Sequence, residues 1–347
     1  MRDRLERILL APAVPGLAAG WIAFSLLVWL YGQSPRAMAV LLFEGTWGTS
    51  YGAGQVLFKA TPLLFTGLAV DVALRGGLFN IGAEGQLAVA SLVAGVVGAW
   101  LPVGTPALVA LPLTLAAAMA AGAAWASVPA LLKARFGAHE VISTIMMNRI
   151  ADGVVGLVIA SIALAGSVRT ADVIPGARLP RLDVLLPAFK GSAASFAIVV
   201  AVLACAFVVA AQTRSRFGRE VGLIGQNPRA MEAEKVPVKR RLAEALIVSG
   251  AIAGAASLGT VLGYKGYFEE GLGAGAGFGG VAVALLGGGR FLGLVFAALL
   301  FGTLQQGGLA LNAHVPKELM DVLQGVVICA VALADVKLRN LVLARKA

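Results

Sequence analysis

Apolar residues run through this chain in long blocks, broken by short polar or basic stretches rather than alternating with them. Blocks of about 20 residues are the length an α-helix needs to cross the roughly 30 Å hydrocarbon layer of a bilayer. Taken in order, spans are expected at about Val14–Tyr31, Gly54–Leu74, Phe79–Trp100 and Ala107–Leu132, with a fifth introduced by Gly137–Asn148. Others follow at about Ala193–Ala211, Ala245–Leu262, Phe291–Leu309 and Leu319–Ala334, with a re-entrant element at Val281–Leu286. The pattern predicts an all-α polytopic membrane helix bundle of about ten transmembrane helices. It forms one transmembrane domain over residues 1–347, with a first half to about 212, a connection over 213–244 and a second half from about 245.

Polar residues that interrupt the blocks carry most of the remaining information. Lys59 and Asp71 share the second span, but twelve positions place them about 120° apart around a helix, so they are not expected to pair. Pro62 is expected to kink that span and free backbone groups that a neighbour must satisfy. In Gly76–Trp100, GGLFNIGAEGQLAVASLVAGVVGAW, a polar cluster abuts a run of small apolar residues. Asn80 is placed to cap the helix that follows, and Glu84 lies near the positive end of that helix. A capped helix with a tight entry turn accounts for the pattern; so does a functional site, because a carboxylate at hydrocarbon depth costs about 2.5–3.5 kcal/mol on insertion scales.

At the fifth span, Glu140, Asn148 and Asp152 recur at helical spacing, which reads either as an internally bonded helix start or as a polar seam facing protein. Residues 263–290 are rich in glycine. Gly275, Gly277 and Gly280 satisfy GxGxxG, yet no strand precedes them, and a re-entrant segment or a pair of short packed helices fits better than a dinucleotide site. Its glycine pattern faintly repeats that of Gly76–Trp100 and suggests two related halves. Ser167–Ser192 is expected to be a solvated external connection, long enough to dock another protein.

Composition supports the membrane reading: 59% of the 347 residues are hydrophobic and only 13% charged, where a soluble chain carries about 25% charge. The net charge of +10 is explained by Lys and Arg retained on cytoplasmic connections. No basic stretch is interleaved with stacking aromatics, so no nucleic-acid partner is expected. The head MRDRLER and the following apolar run imitate a secretion signal, but the many later spans favour an uncleaved first helix with Arg2, Arg4 and Arg7 inside. Lys337, Arg339, Arg345 and Lys346 place the carboxyl terminus on the same side.

The connection Thr213–Glu244 is strongly basic. Within it, Gly225-Gln226-Asn227-Pro228 reads as a turn opening a short helix at Arg229–Lys235, which Pro237 stops. A short helix standing off the membrane between two halves of a bundle suits a groove on a partner.

Cys205 and Cys329 lie in apolar runs, and His139 and His314 are far apart, so no disulfide, metal site or cofactor is expected. The chain lacks GxxxxGK[ST], a nucleophile elbow and HExxH, which argues against ATP hydrolysis by the chain itself and against a membrane enzyme. Two transport readings remain: a subunit driven by an ATPase, or a stand-alone ion-coupled transporter using Lys59, Asp71, Glu84 and Asp152.

Three segments together resemble one family. FNIGAEGQ preceded by GLAVDVALRGGL, then AHEVISTIMMNRIA at Ala138–Ala151, then GQNPRAMEAEKVPV at Gly225–Val238, are similar to the membrane-spanning subunits of ABC importers for ribose-type sugars and nucleosides. Within that family the likeness is greatest to the longer permease of nucleoside importers. The resemblance implies a permease subunit in a bacterial-type plasma membrane, with both termini cytoplasmic. Its implied partners are a cytoplasmic ATP-binding cassette subunit, a second permease subunit, the same or a sister, and an external lipoprotein binding protein. It implies a coupling helix at Gly225, Asn227, Pro228, Arg229, Ala230, Glu232 and Lys235, with Lys235 standing where relatives usually carry Gly. Asn80, Glu84, Gln86, Glu140 and Asn148 become candidates for the substrate pathway.

Overall fold

The computed structural model describes residues 13–163 and 167–344. In chain order its helices are α1 (Ala13–Leu30), α2 (Pro35–Gly45), α3 (Ser50–Arg75), α4 (Ala83–Trp100), α5 (Ala107–Phe136), α6 (Glu140–Ile162) and α7 (Ala197–Arg214). They continue as α8 (Arg216–Gln226), α9 (Pro228–Ala233), α10 (Val238–Gly254), a π-helical turn (Leu258–Lys265), α11 (Ala276–Gly287), α12 (Phe291–Leu311) and α13 (Glu318–Ala344). β pairing among the described residues is confined to two isolated bridges, Arg169 with Glu269 and Arg181 with Ser195.

At the centre stands α3, packed against α4, α7, α8, α10, α11 and α12. Its residues from Ala60 to Ala73 are all buried, as expected of a helix with no polar face. The hydroxyls it carries are satisfied within the bundle: Thr61 Oγ1 donates to the Leu57 carbonyl at 2.8 Å. Thr66 Oγ1 lies 2.9 Å from the Pro62 carbonyl and 2.7 Å from the Ala276 carbonyl of α11. The helix continues through Pro62.

The most extensive helix contact is between α5 and α10. A Cβ on Gly250 would stand 2.5 Å from the Gly122 carbonyl oxygen, and one on Gly254 would stand 2.7 Å from that of Ala118. Small residues let these backbones touch, which is how helices gain dispersion energy where lipid removes the hydrophobic drive. Chain entry is handled differently: α1 and α2 meet at 113°, with Ser34 capping α2 and Pro35 in its first turn.

Seven helices among the described residues are long and apolar enough to cross a bilayer, or eight if the α1–α2 pair is one broken span, against the ten or so expected. The expected re-entrant element at Val281–Leu286 falls within α11, whose 12 residues span about 18 Å, less than the roughly 30 Å hydrocarbon layer. Arg2, Arg4, Arg7, Arg345 and Lys346 lie outside the described residues.

The connection after α6 differs from the solvated loop its composition suggested. Thr170 N–H donates to the Phe268 carbonyl, Val173 to Gly266, Ile174 to Gly98 and Leu179 to Leu262, at 2.7–2.9 Å. Val173, Ile174, Ala177 and Leu182 are buried. This segment is a folded cap over the ends of α4, α5 and the π turn, because its backbone finds partners in residues 262–268.

Candidate functional site

Two broken helices meet inside the bundle. The chain leaves α3 at Arg75, turns through Gly76–Gly82 and starts α4; much later it leaves the π turn, winds through left-handed Gly266, Gly271, Gly273 and Gly275, and starts α11. The starts of α4 and α11 touch at backbone distance: a Cβ on Gly277 would overlap the Glu84 main chain. Both helix ends present unpaired N–H groups and positive dipole ends. The Glu84 carboxylate answers this on α11. Its Oε1 accepts the Gly275 N–H at 2.6 Å, and its Oε2 accepts those of Gly277 at 2.7 Å and Phe278 at 3.4 Å.

The start of α4 is held from other elements. Asn148, on α6, accepts the Gly85 N–H at 2.9 Å and donates to the Ile81 carbonyl at 3.0 Å. Asn80 is not the cap of α4; Gly82 takes that position. Instead Asn80 Oδ1 accepts the Gly82 N–H at 3.0 Å, and its amide exchanges hydrogen bonds with Gln86 at 2.9 and 3.1 Å. Its Nδ2 also donates to Ser249 Oγ at 2.8 Å, and Ser249 donates to the Ala69 carbonyl at 2.6 Å. Irregular backbone survives inside a membrane protein only with such coverage.

Glu140 lies apart from this group. It pairs with Lys133 at 2.7 Å across the turn between α5 and α6. Nor does Asp152 join a continuous seam with Glu140 and Asn148: it is exposed and sits 3.6 Å from Arg149. Asp152 instead borders, with Glu84 and Glu270, a cavity of about 190 Å³ beside Gly271–Ala274.

The far end of α11 is also tied. Left-handed Gly288 and Gly289 end it, and Arg75 Nη2 donates to the Gly289 carbonyl at 2.9 Å. Arg75 lies 3.7 Å from Asp71, whose other partner is Gln212 Nε2 of α7 at 3.0 Å. Gly225 of α8 packs directly on the Arg75 main chain, where a Cβ would collide. A continuous path of contacts therefore runs from α8 through Arg75 to the far end of α11, whose start Glu84 holds.

The basic connection is shorter and more ordered than its sequence suggested, because α7 reaches Arg214 and α10 begins at Val238. Ser215 caps α8 through the Gly218 N–H, and Val221 and Ile224 bury its inner face. An ion-pair network fastens it to α10: Glu220 contacts Arg216 and Arg241, each at 2.6 Å. Hydrogen bonding from Arg216, with Arg241 second, holds the Glu220 carboxyl below the ordinary range.

Beyond α8 the short helix stands free. Asn227 Oδ1 caps α9 through the Ala230 N–H at 3.1 Å, Pro228 occupies its first turn, and Arg229, Ala230 and Glu232 are exposed. Lys235 follows at φ 59°, the one non-glycine residue with positive φ among those described. The departure from Gly noted in the sequence thus falls on a left-handed position.

Sequence reasoning missed Ser249, Gln212 and α8. Isolated polar residues in apolar spans were the available signal for the first two, and the Ser215 cap followed by Val221 and Ile224 for the third.

Comparisons with known proteins follow the same lines. The family described as the branched-chain amino acid transport system / permease component matches residues 52–332. The chain is 37% identical to the guanosine ABC transporter permease protein NupP of Bacillus subtilis, covering 96% of this chain and 95% of that one. It is 30% identical to the nucleoside ABC transporter permease protein NupB of Lactococcus lactis, covering 96% and 92%. It is 32% identical to the glucose ABC transporter permease protein TsgB13 of Haloferax volcanii, covering 90% and 83%. No solved structure matches the chain.

Proposed function

We propose, on the premise that this chain belongs to the branched-chain amino acid transport system / permease component family, that it carries a nucleoside or simple sugar inward across the plasma membrane. Membership makes it a multi-pass permease subunit of an ABC system rather than a stand-alone ion-coupled transporter. Nucleoside cargo is favoured over sugar by its likeness, along 96% of its length, to a guanosine permease. The chain supplies the path, and ATP hydrolysis belongs to a cytoplasmic cassette subunit. A second permease subunit, the same or a sister, pairs with it, and an external lipid-anchored protein delivers the cargo. Both termini lie on the cytoplasmic side with the basic connection.

The observation that carries the coupling role is the placement of α9. It stands off the basic end of the bundle with its outward residues uncovered, while α8 fastens its base to α10 and to Arg75. Closure of the cassette subunits pushes on Gly225–Lys235. The push passes through Arg75 to α11 and the Glu84 junction; because α3 and α5 of the first half, about 1–212, pack directly on α10 and α11 of the second, about 245–347, the subunit moves as one rigid body against its partner permease subunit. Asn80, Gln86 and Asn148 serve this motion by keeping the start of α4 rigid; Glu84 borders the path through the cavity it shares with Asp152, and Glu140 pins the α5–α6 turn. Shortening Arg229–Lys235 is expected to abolish ATP-dependent nucleoside uptake in proteoliposomes carrying the complete transporter, with membrane insertion intact. Wild-type uptake by that variant would overturn the coupling role.

A further inference from the structure

A second and larger cavity, about 550 Å³, lies between α3, α11, α12 and α13. Its volume falls within the ~300–1,000 Å³ of typical small-molecule sites. The lining combines an aromatic ring, Phe278, half of it exposed, with the polar side chains of Lys59, Gln305, Lys317, Asp321 and Gln324. Two of these are unspent donors. Among the described residues the Lys59 ammonium has no ion-pair or hydrogen-bond partner, and Gln324 Nε2 is buried without one. A buried donor without an acceptor is costly, and a lysine in a membrane span more so, unless something in the cavity supplies the missing oxygens.

Lys59 lies ten residues past Thr49, the cap of α3, or about 15 Å along the helix. It therefore stands well inside a helix of 26 residues, about 39 Å long, and not at either of its ends. Phe278 follows directly on Gly277, at the junction with Glu84, so the ring reports any motion of α11.

We propose that this cavity is the permease's own cargo-reading site for nucleosides. The Phe278 ring stacks on the base, Lys59 and Gln324 donate to base carbonyl or ribose oxygens, and Asp321 accepts from ribose hydroxyls. This rests on the nucleoside reading above and adds to it the residues that tell a nucleoside from a bare sugar. A sugar offers the hydroxyls but no face for Phe278, so it binds more weakly.

The test uses the assembled permease and cassette subunits in nanodiscs, with tritiated guanosine as probe and ribose and glycerol 3-phosphate as competitors. Saturable guanosine binding is expected, weakened at least tenfold in Phe278→Ala and in Lys59→Met, retained in Phe278→Tyr and Lys59→Arg, and displaced poorly by ribose. Absence of binding, binding unchanged in both truncated variants, or displacement by glycerol 3-phosphate as the better ligand would overturn the proposal. Should a truncated variant fail to assemble, photolabelling of the wild type with 8-azidoguanosine decides: label in residues 56–62, 274–282, 305–309 or 317–328 supports the site, and label elsewhere refutes it. Uptake by the complete transporter separates the two readings. Normal guanosine uptake with unchanged KM in both variants removes the cavity and leaves the cargo assignment standing, whereas a wild type that moves glucose but no nucleoside removes both.

Discussion

Replacing Glu84 by Gln perturbs the junction by a single atom type, and its effect can be worked out from the geometry. The carboxylate makes two short bonds, to Gly275 N–H at 2.6 Å and Gly277 N–H at 2.7 Å. Charge-assisted bonds of this kind contribute about 1.5–3 kcal/mol each. Glutamine keeps one oxygen, so one bond persists as a weaker neutral one, while its amide nitrogen faces the other N–H donor to donor. Loss of the anion from the positive end of α11 removes about another 0.3–1 kcal/mol. The start of α11 should therefore be weakened by about 2–4 kcal/mol, which at 1.4 kcal/mol per decade raises local opening roughly 30- to 1,000-fold. Amide hydrogen exchange of Gly275–Phe278, followed by mass spectrometry in nanodiscs, reads this directly, and uptake by the reconstituted transporter should fall while the amount of inserted protein does not. Exchange within twofold of wild type together with unimpaired uptake would refute the junction as the structural tie between the halves.

Other outcomes follow from the same coordinates. Lys235→Gly relieves a left-handed side chain worth about 1–2 kcal/mol at the expense of about 0.5–1 kcal/mol of chain entropy, so cleavage by Glu-C at Glu232 and Glu234 should slow about two- to fivefold; faster cleavage would deny the strain. Gly122→Leu drives a side chain into the Gly250 carbonyl and should cost about 3 kcal/mol or more, read as a lowered Tm, whereas Gly222→Ala, in the interior of α8 with nothing for its Cβ to meet, should leave Tm unchanged or raise it slightly. Asn148→Leu strands the Gly85 N–H and the Ile81 carbonyl and should destabilise the fold by about 2–4 kcal/mol in thermal unfolding. Because the folded Glu220 carboxyl titrates below its unfolded value, its tie to α10 is fully present above about pH 4.3 and lost as pH falls through the lower, folded value. Exchange protection of α8 should accordingly be flat from pH 7 to about 5 and decline only in stronger acid; loss between pH 7 and 6 would contradict the assignment.

The spans were legible because lipid demands long apolar blocks, and α3–α7, α10 and α12 all lie where such blocks do. What lay beyond reach was partner choice. Glu84 was visible as an anomaly, but its partners are three backbone N–H groups about 190 residues away, and backbone donors leave no mark in a sequence. Asn80 was read as a local cap because capping is a neighbourly rule; Ser249 and Gln86 recruit it instead. Helix α8 was hidden by its charge, since a run of arginines reads as a topological anchor whether or not the segment folds. The connection after α6 looked solvated because most of its acceptors, at residues 262–268, belong to a distant element. Lys235 stands where the resemblance implies Gly, and its backbone takes the left-handed conformation that glycine adopts most readily, which the side chain alone did not foretell.

Glu84 also imposes an order on biogenesis. When α4 leaves the translocation machinery, the N–H groups that will donate to its carboxylate have not been synthesised, the first of them lying 191 residues beyond Glu84. Through that interval a nascent first half carries an unmated anion beside a helix whose entry loop is braced by Asn148 and the Asn80–Gln86 pair but lacks Ser249, which is equally late. Such an intermediate is a natural client for insertase or chaperone protection. A chain severed near residue 215 should mature only when both fragments are made in the same membrane at the same time.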